Sequence, residues 1–252
     1  MGYALFVIGP AGSGKTSLSH MLKEYYTSQN RSVSIINLDP AQTLEDLDFS
    51  FDIRNHIEVA EIMEEADFGP NGALMAGLEA ISDHLDVMEL PEDDGAFLIF
   101  DCPGQIELYV HSDSIMKIVQ EMGKNHYTMA IYALDATHAF DTAKFVSAAV
   151  SATISMCKFE VPHINVLTKC DLVPSEDLED FLFGMDIENI AEKLPAHTPR
   201  EKKFNHALTT IIRDQGLLGF IPLDYKKENS LEALAYQIDT CVQYIDAHED
   251  DD

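Results

Sequence analysis

The segment GPAGSGKT, Gly9–Thr16, constrains the fold of this chain more than any other feature of the sequence. It fits the pattern GxxxxGK[ST] at every fixed position. The apolar run YALFVI, Tyr3–Ile8, stands directly before it, and apolar residues recur at helical spacing from Lys15 onward. A glycine-rich loop between a buried strand and a helix predicts a P-loop, because its backbone N–H groups and the helix N-terminus can surround a phosphate chain.

The residues of this loop have separate expected roles. We expect Lys15 to reach the β- and γ-phosphates of a nucleotide and the Thr16 hydroxyl to hold Mg²⁺. The predicted nucleotide-binding residues of this segment are Gly12, Ser13, Gly14, Lys15, Thr16 and Ser17.

Further apolar runs alternate with amphipathic stretches and predict the fold class. After the first strand, the predicted strands are Ser32–Asp39, Ala96–Asp101, Tyr127–Asp135, His163–Lys169 and Gly219–Asp224. The predicted helices include one from Lys15 and those over Gln105–Met122, Phe140–Met156 and Leu231–Ile245. This alternation is typical of an α/β protein. We therefore expect the three-layer P-loop NTPase fold, a mostly parallel sheet with helices on both faces.

The length of 252 residues allows one large domain or two small ones. We predict a single domain over residues 1–247, with a helical insertion at about residues 175–215, followed by an acidic tail at 248–252. The insertion contains an apolar patch, Phe181–Met185. Core packing is the ordinary explanation for such a patch, and a groove for an apolar peptide is the alternative.

The charge balance is strongly acidic, with 16 Lys and Arg against 44 Asp and Glu and a net charge of −28. Such a surface repels nucleic-acid phosphates and anionic headgroups, so we expect no direct binding to nucleic acid and none to membranes. No apolar run approaches the roughly 18 residues of a membrane span. The four cysteines are far apart with no CxxC spacing, which favours a reducing compartment. We expect a soluble intracellular protein.

The third predicted strand ends in residues suited to phosphate chemistry. Asp101 is its last residue, and Pro103, Gly104 and Gln105 follow. We expect Asp101 to hold Mg²⁺ through water, the Gly104 N–H to meet the γ-phosphate and Gln105 to orient the attacking water. The structural alternative for Asp101 is a capped strand end.

The second predicted strand ends in NLDPA, which brings Asp39 to the expected γ-phosphate side of the site. An acidic residue there predicts a role in positioning water or metal. The alternative is a structural role as a helix N-cap.

The segment LTKCDL matches the pattern [NT]KxD and predicts the site that recognises the base. We expect Asp171 to accept hydrogen bonds from the guanine N1–H and amino group, while the aliphatic part of Lys169 covers the base. Thr168 takes the place of a more usual asparagine. Adenine presents an acceptor where guanine presents N1–H, so a carboxylate here favours GTP over ATP.

In their order, the segments GPAGSGKT, NLDPA, FGPNGA, FDCPGQIELY and TKCDL resemble those of the GPN-loop GTPases. The resemblance covers the chain apart from the acidic tail and is greatest to the third eukaryotic paralogue. It implies a GTPase that depends on dimerisation and binds Mg²⁺ and GTP or GDP. It further implies that Gly69, Pro70 and Asn71 form a turn that reaches the nucleotide of the partner subunit, with Asn71 as a catalytic residue.

The resemblance also implies partners. These are a second copy or a related GPN-loop GTPase paralogue in the dimer, and RNA polymerase II subunits or assembly factors as clients. Assembly and nuclear import of RNA polymerase II would then be the process served. The implied location is cytoplasmic, with shuttling to the nucleus left open.

Arginine is scarce in this chain, with four in all and none inside a motif. Arg54 is the only one close in sequence to the region after Asp39, and it is a weak candidate for an arginine finger. Without a finger we expect slow turnover. The alternatives that the sequence leaves open are a MinD/ParA-like ATPase, a nucleotide kinase, and an assembly adaptor for which hydrolysis is incidental.

Overall fold

A computed structural model describes residues 1–44, 47–91, 95–105, 108, 112–184, 187–214 and 219–244. The side chains of residues 65, 180, 183, 184 and 187–189 lie outside that description. Within the described ranges, seven strands form one parallel sheet. They are β1 Gly2–Ile8, β2 Val33–Asn37, β3 Phe51–Asp52, β4 Phe97–Asp101, β5 His126–Asp135, β6 His163–Thr168 and β7 Phe220–Pro222.

The order of the strands across the sheet is β3-β2-β4-β1-β5-β6-β7, so β1 lies between β4 and β5. Because the strands are parallel, all of their carboxyl ends lie at the same edge. The loops after β1, β2, β4, β5 and β6 therefore meet there, and ligands of open α/β sheets bind at this edge.

Helices lie between the strands and cover both faces of the sheet. In chain order they are α1 Lys15–Ser28, α2 Val59–Ala66, α3 Pro70–Asp83, α4 Ser114–Met122, α5 Ala136–Ala139, α6 Thr142–Phe159, α7 Ser175–Gly184, α8 Ile187–Lys193, α9 Pro199–Asp214 and α10 Glu228–Cys241. Short 3-10 turns are present at Ile53–Asn55, Leu85–Met88 and Cys170–Leu172.

The core consists of two apolar clusters, one on each face of the sheet. Successive side chains of β1 belong to different clusters, as Phe6 lies in one and Leu5 in the other. The cluster around Phe6 includes residues of α3, α4 and α6, and the cluster around Leu5 includes residues of α1 and α10. The α/β prediction of a parallel sheet with helices on both faces is confirmed.

The six predicted strands are all present, with ends that shift by up to two residues. The seventh, β3, was not predicted, since two residues are too few to show a period. The predicted helix Phe140–Met156 corresponds to α6, which begins at Thr142 and ends at Phe159, and the short helix α5 before it was not predicted. The Asp141 carboxylate accepts hydrogen bonds from the N–H groups of Ala143 and Lys144, and so caps α6.

Other sequence-based expectations fall partly outside the described residues. The predicted helix Gln105–Met122 is described as α4 only from Ser114, and Ile245 and the acidic tail 248–252 lie outside the described residues. The helices α7, α8 and α9 lie between β6 and β7, where the insertion was expected. Phe181 of the insertion packs against Phe140 and Phe145, as core packing requires, whereas Met185 lies outside the described residues.

The described helices include none with both the length and the apolar character needed to cross a bilayer.

Candidate functional site

The P-loop joins β1 to α1 through glycines whose positive φ values would strain other residues. Gly9, Gly12 and Gly14 have φ values of 139°, 75° and 85°. A Cβ on Gly9 would lie 2.3 Å from the carbonyl oxygen of Ala133, which is backbone and cannot give way. Gly14 is the N-cap of α1, so the helix begins at Lys15 and directs its first N–H groups into the loop.

A cleft of about 460 Å³ opens over this loop. Segments from the ends of four strands contribute to its walls. Among the described residues, its lining includes Gly12, Gly14, Lys15, Thr16, Ser17, Asp39, Gln42, Gly104, Gln105 and Lys169. The cleft thus brings together sequence-predicted residues from the P-loop, the end of β2, the end of β4 and the end of β6.

Lys15 is buried within the loop that it was expected to serve. Its Nζ donates a hydrogen bond of 3.1 Å to the carbonyl oxygen of Pro10. Burial lowers the pKa of Lys15, while the neighbouring Asp101 and Asp39 oppose that shift. Because burial removes water from the charged amine, an anionic partner stabilises it strongly, as expected for a residue that binds phosphate.

Thr16, which lines the cleft, contacts the buried Asp101 behind it. Thr16 Oγ1 donates to Asp101 Oδ2 at 2.6 Å. Asp101 is 1% exposed, and its Oδ1 is buried with no hydrogen-bond partner among the described residues. Burial raises the pKa of Asp101 to about 6, although the Thr16 hydrogen bond and Lys15 act against it. A buried carboxylate oxygen without a partner, beside a hydroxyl, fits a site for a hard divalent cation.

Asp39 is the second residue after the end of β2. Its N–H donates to Asn37 Oδ1 at 3.0 Å, and its Oδ1 accepts from the Ala41 N–H at 2.9 Å. Burial raises the pKa of Asp39. The hydrogen bond from Ala41 and the charges of Lys15 and Arg54 lower it, but burial outweighs them. No described helix begins here, so the N-cap alternative is wrong. The carboxylate instead closes a short turn whose side chains line the cleft.

Gly104 brings the segment after β4 against the P-loop. A Cβ on this residue would lie 2.6 Å from Ala11 Cα, so only glycine permits this approach. Gln105 follows at the wall of the cleft, and its Oε1 is buried without a partner among the described residues. Glu107, a further candidate for this network, lies outside the described residues.

The LTKCDL segment also touches the P-loop directly. Thr168 Oγ1 donates to the Ser13 carbonyl at 2.6 Å, so its hydroxyl braces the loop in a position where an asparagine is more usual. Lys169 Nζ donates to the Gly12 carbonyl at 2.6 Å and to Asp135 Oδ2 at 2.8 Å. Burial raises the pKa of Asp135, but its bonds from Lys169 and Thr137 outweigh burial and leave that pKa below its ordinary value.

Asp171 offers one carboxylate oxygen that is already paired and one that is not. Its Oδ2 lies 3.1 Å from Lys226 Nζ, and its Oδ1 is buried without a hydrogen-bond partner among the described residues. Next to Lys226, the Tyr225 hydroxyl lies 2.7 Å from the position that a Cβ on Gly14 would take. Tyr225 and Lys226 therefore belong to the surroundings of the expected base site, which sequence reasoning missed.

The GPN segment differs from its sequence-based description as a turn. Gly69 is the N-cap residue of α3, and Pro70 and Asn71 form the first turn of that helix. Proline is well suited to the first helical position, where its missing N–H costs nothing. All three residues are exposed, and none of them lines the described cleft of its own chain.

Two further residues near the cleft were not predicted in the roles they have. The Gln42 side chain donates from Nε2 to Thr16 Oγ1 at 2.9 Å. Arg54 pairs with Asp52 and donates to the carbonyl oxygens of Gln42 and Leu44, and it does not line the cleft as an arginine finger would. The only indication in the sequence that Arg54 lies near the site was its short distance from Asp39 along the chain. The sequence contained no indication of a role for Gln42.

Comparison with known proteins gives consistent results. Residues 7–244 match a family described as a conserved hypothetical ATP binding protein. The chain is similar to GPN-loop GTPase 3 of Dictyostelium discoideum, with 37% identity over 246 residues, 94% of this chain and 86% of that protein. It is similar also to GPN-loop GTPase 3 of Saccharomyces cerevisiae, with 34% identity over 258 residues, 97% of this chain and 94% of that protein.

Among solved structures, the chain is similar to the apo form of a GTPase from Pyrococcus abyssi. The TM-score is 0.71 at 22% sequence identity, covering 95% of this chain and 97% of the other. The TM-score establishes a shared fold, and at this level of identity the comparison shows the fold alone. The names of the curated relatives confirm the sequence-based resemblance to the third eukaryotic paralogue.

Proposed function

The chain belongs to the GPN-loop GTPase family, and from that premise we propose a Mg²⁺-dependent switch that binds GTP and hydrolyses it when two subunits face each other. The observation that carries this proposal is the pair formed by Thr16 and Asp101, with the unpartnered Asp101 Oδ1 beside the P-loop. A lone glycine-rich loop binds phosphate. A loop with a buried acid at its metal side supports phosphoryl transfer as well.

In the proposed mechanism the P-loop binds the phosphates. The N–H groups at the start of α1 and the Lys15 amine surround the β- and γ-phosphates, and the amine then exchanges its bond to the Pro10 carbonyl for a stronger one to an anion. Thr16 and Asp101 are the residues that would hold Mg²⁺. When bound, Mg²⁺ supplies positive charge that neutralises the phosphate oxygens.

Guanine is the proposed base because of Asp171. Its Oδ1 has no partner among the described residues, and its Oδ2 lies 3.1 Å from the Nζ of Lys226, whose side chain is 72% exposed. Two carboxylate oxygens can accept from the guanine N1–H and amino group together, whereas adenine has no donor at N1. The description of the matching family mentions ATP, and competition between the two nucleotides decides between them.

For hydrolysis, Gln105 and Asp39 are the proposed residues that position the attacking water. Both line the cleft, and the unpartnered Gln105 Oε1 can accept a hydrogen bond from that water. Among the described residues no arginine lines the cleft, so we propose that a neutral group completes the site.

Asn71 of the facing subunit is the proposed neutral group. It is exposed at the start of α3, away from the cleft of its own chain, and α3 holds it in the first turn of a helix. A residue whose backbone is already fixed in a helix loses little backbone entropy when it enters a second subunit. Since an amide stabilises charge less than an arginine, the proposed turnover is slow.

The wider role is proposed from the family. It comprises pairing with a second copy or with a related paralogue, a part in the assembly and nuclear import of RNA polymerase II through its subunits or assembly factors, and a cytoplasmic location. The alternative is an assembly adaptor that is stabilised by bound nucleotide and for which hydrolysis is incidental.

A competition experiment tests the base preference. Unlabelled GTP and ATP are titrated against a labelled GDP analogue in wild-type protein and in Asp171→Asn. We expect GTP to displace the label at far lower concentration than ATP in the wild type, and the gap to shrink by at least about tenfold in Asp171→Asn, because a carboxylate that accepts two hydrogen bonds is replaced. Glu176→Gln, an exposed acid beyond the site, is the matched control. Preference of the wild type for ATP would overturn the proposal.

The adaptor alternative has its own test. Asn71→Ala and Gln105→Leu are expected to bind GTP, to lose turnover and to fail in cells. If these variants instead support cell growth without turnover, hydrolysis is incidental and the adaptor alternative is correct.

A further inference from the structure

Gln42 lies three residues beyond Asp39, and its amide faces the hydroxyl of Thr16. Gln42 Nε2 donates to Thr16 Oγ1 at 2.9 Å, while Gln42 Oε1 accepts from the Leu44 N–H at 3.1 Å. A backbone N–H can only donate, so Leu44 fixes which end of the amide is oxygen. The NH₂ end must therefore face Thr16.

Thr16 Oγ1 takes part in two hydrogen bonds at once. It donates its single hydrogen to Asp101 Oδ2 and accepts from Gln42 with a lone pair. One lone pair of this oxygen remains for a cation, but the charge of a cation bound there repels the amide hydrogens that Gln42 directs at the same oxygen. Gln42 therefore opposes a cation at Thr16.

Arg54 holds the backbone that directs this amide. Its Nη1 donates to the carbonyl oxygens of Gln42 at 3.0 Å and Leu44 at 2.9 Å, and its Nη2 binds Asp52 Oδ2 at 2.6 Å. Asp52 also accepts from Asn37 Nδ2, at the end of β2, at 2.9 Å. One planar guanidinium thus ties the Gln42–Leu44 segment to the sheet, in a fork that lysine cannot reproduce.

We propose that Gln42 opposes divalent cation binding at Thr16, and that Arg54 is the positioning residue that keeps the Gln42 amide directed there. The inference rests on the proposed Mg²⁺-dependent function. It adds a means by which the segment after β2 responds to the cation, since a cation at Thr16 weakens the bond that holds Gln42 against the P-loop. Removal of one hydrogen bond of ordinary net strength corresponds to a change of about two- to tenfold in affinity.

The test measures cation binding rather than turnover. Wild-type protein and variants are loaded with GDP, and Mn²⁺ is titrated as the probe cation, with free Mn²⁺ followed by electron paramagnetic resonance. We expect Gln42→Ala to lower the Kd for Mn²⁺ by about two- to tenfold. Gln29→Ala, which removes an exposed glutamine at the end of α1, is the matched control and should leave the Kd unchanged. An unchanged or higher Kd in Gln42→Ala overturns the inference.

Arg54 is tested by a double-mutant cycle. Arg54→Lys is expected to lower the Kd in the same direction as Gln42→Ala, and to add nothing in the Gln42→Ala background, because its effect passes through Gln42. If the effects of Arg54→Lys and Gln42→Ala on the Kd are independent and additive, Arg54 does not position Gln42. Failure of the wild type to load GDP counts against the proposed function. Normal GDP and Mn²⁺ binding with no shift in Gln42→Ala counts against this inference alone.

Discussion

Replacement of Gly104 by alanine tests how the segment that carries Gln105 is positioned. The added Cβ would lie 2.6 Å from Ala11 Cα and 2.8 Å from Ala11 N, both of which are backbone atoms of the P-loop. Ordinary contacts begin near 3.4 Å, so the two segments must separate by roughly 0.8 Å. That separation moves Gln105 away from the place where it would orient water.

The expected consequence is mainly kinetic. A misplacement of about 1 Å near a reacting group can cost about 100-fold in rate, or about 2.7 kcal/mol. We expect the single-turnover rate of GTP hydrolysis in Gly104→Ala to fall by about that factor. The affinity for GDP should change by less than about threefold, because GDP has no γ-phosphate to meet the Gly104 N–H.

Single-turnover hydrolysis of radiolabelled GTP, together with GDP titration, measures both quantities. Gly219→Ala is the matched control, since a Cβ there has no neighbour within 4 Å in the part of the chain that the structure describes and its φ is not left-handed. Thermal unfolding of both variants establishes that the folds are intact. If Gly104→Ala hydrolyses GTP at the wild-type rate, contact with Ala11 does not set the position of Gln105, and the reasoning is refuted.

Two further predictions concern stability. Arg31 pairs with Asp239 through two hydrogen bonds of 2.7 Å, and the two side chains are only 14% and 10% exposed. Arg31→Met should therefore lower the free energy of unfolding, measured by urea denaturation, by roughly 3–5 kcal/mol. The double variant Arg31→Met with Asp239→Leu should recover much of that loss. If the double variant recovers none of the lost stability, the unpaired charge of Asp239 is not the cause of the loss. Burial lowers the pKa of His163 from 6.5 to about 4. As the pH falls from 6.5 toward 4, His163 is therefore protonated in the unfolded chain before it is protonated in the folded one. The folded state loses up to about 3 kcal/mol of stability over this range. His163→Gln should flatten that part of the pH profile of unfolding, and an unchanged profile would rule out His163 as the origin.

Local patterns in the sequence were sufficient for the fold and for the P-loop. The P-loop motif is contiguous, and its glycines are required by local backbone geometry and by close contacts, as Gly9 illustrates. Strands buried on both faces appear as unbroken apolar runs, so Phe97–Asp101 and its neighbours in the sheet were predictable to within two residues. Asp101 could be predicted because it ends an apolar run and is followed by Pro103, Gly104 and Gln105. Because β4 pairs with β1 in parallel, Asp101 lies beside the P-loop.

Contacts between side chains distant in sequence were not predictable in the same way. Gln42 meets Thr16 across 26 positions, and nothing in the local pattern indicates that contact. Tyr225 reaches Gly14 from the far end of the chain. The Gly-Pro-Asn triplet was described as a turn because those residues favour turns, but proline at the first helical position is equally stable and begins α3.

The central claim is that a second subunit completes the site, and the dependence of turnover on dilution tests it most directly. The GTP hydrolysis rate per subunit is measured over a wide range of protein concentration, with mass determined by light scattering at each point, for the chain alone and mixed with a related paralogue. We predict that the rate per subunit rises with concentration as dimers form and vanishes where only monomers remain. A preparation that is monomeric throughout and hydrolyses GTP at a constant rate per subunit would contradict the account.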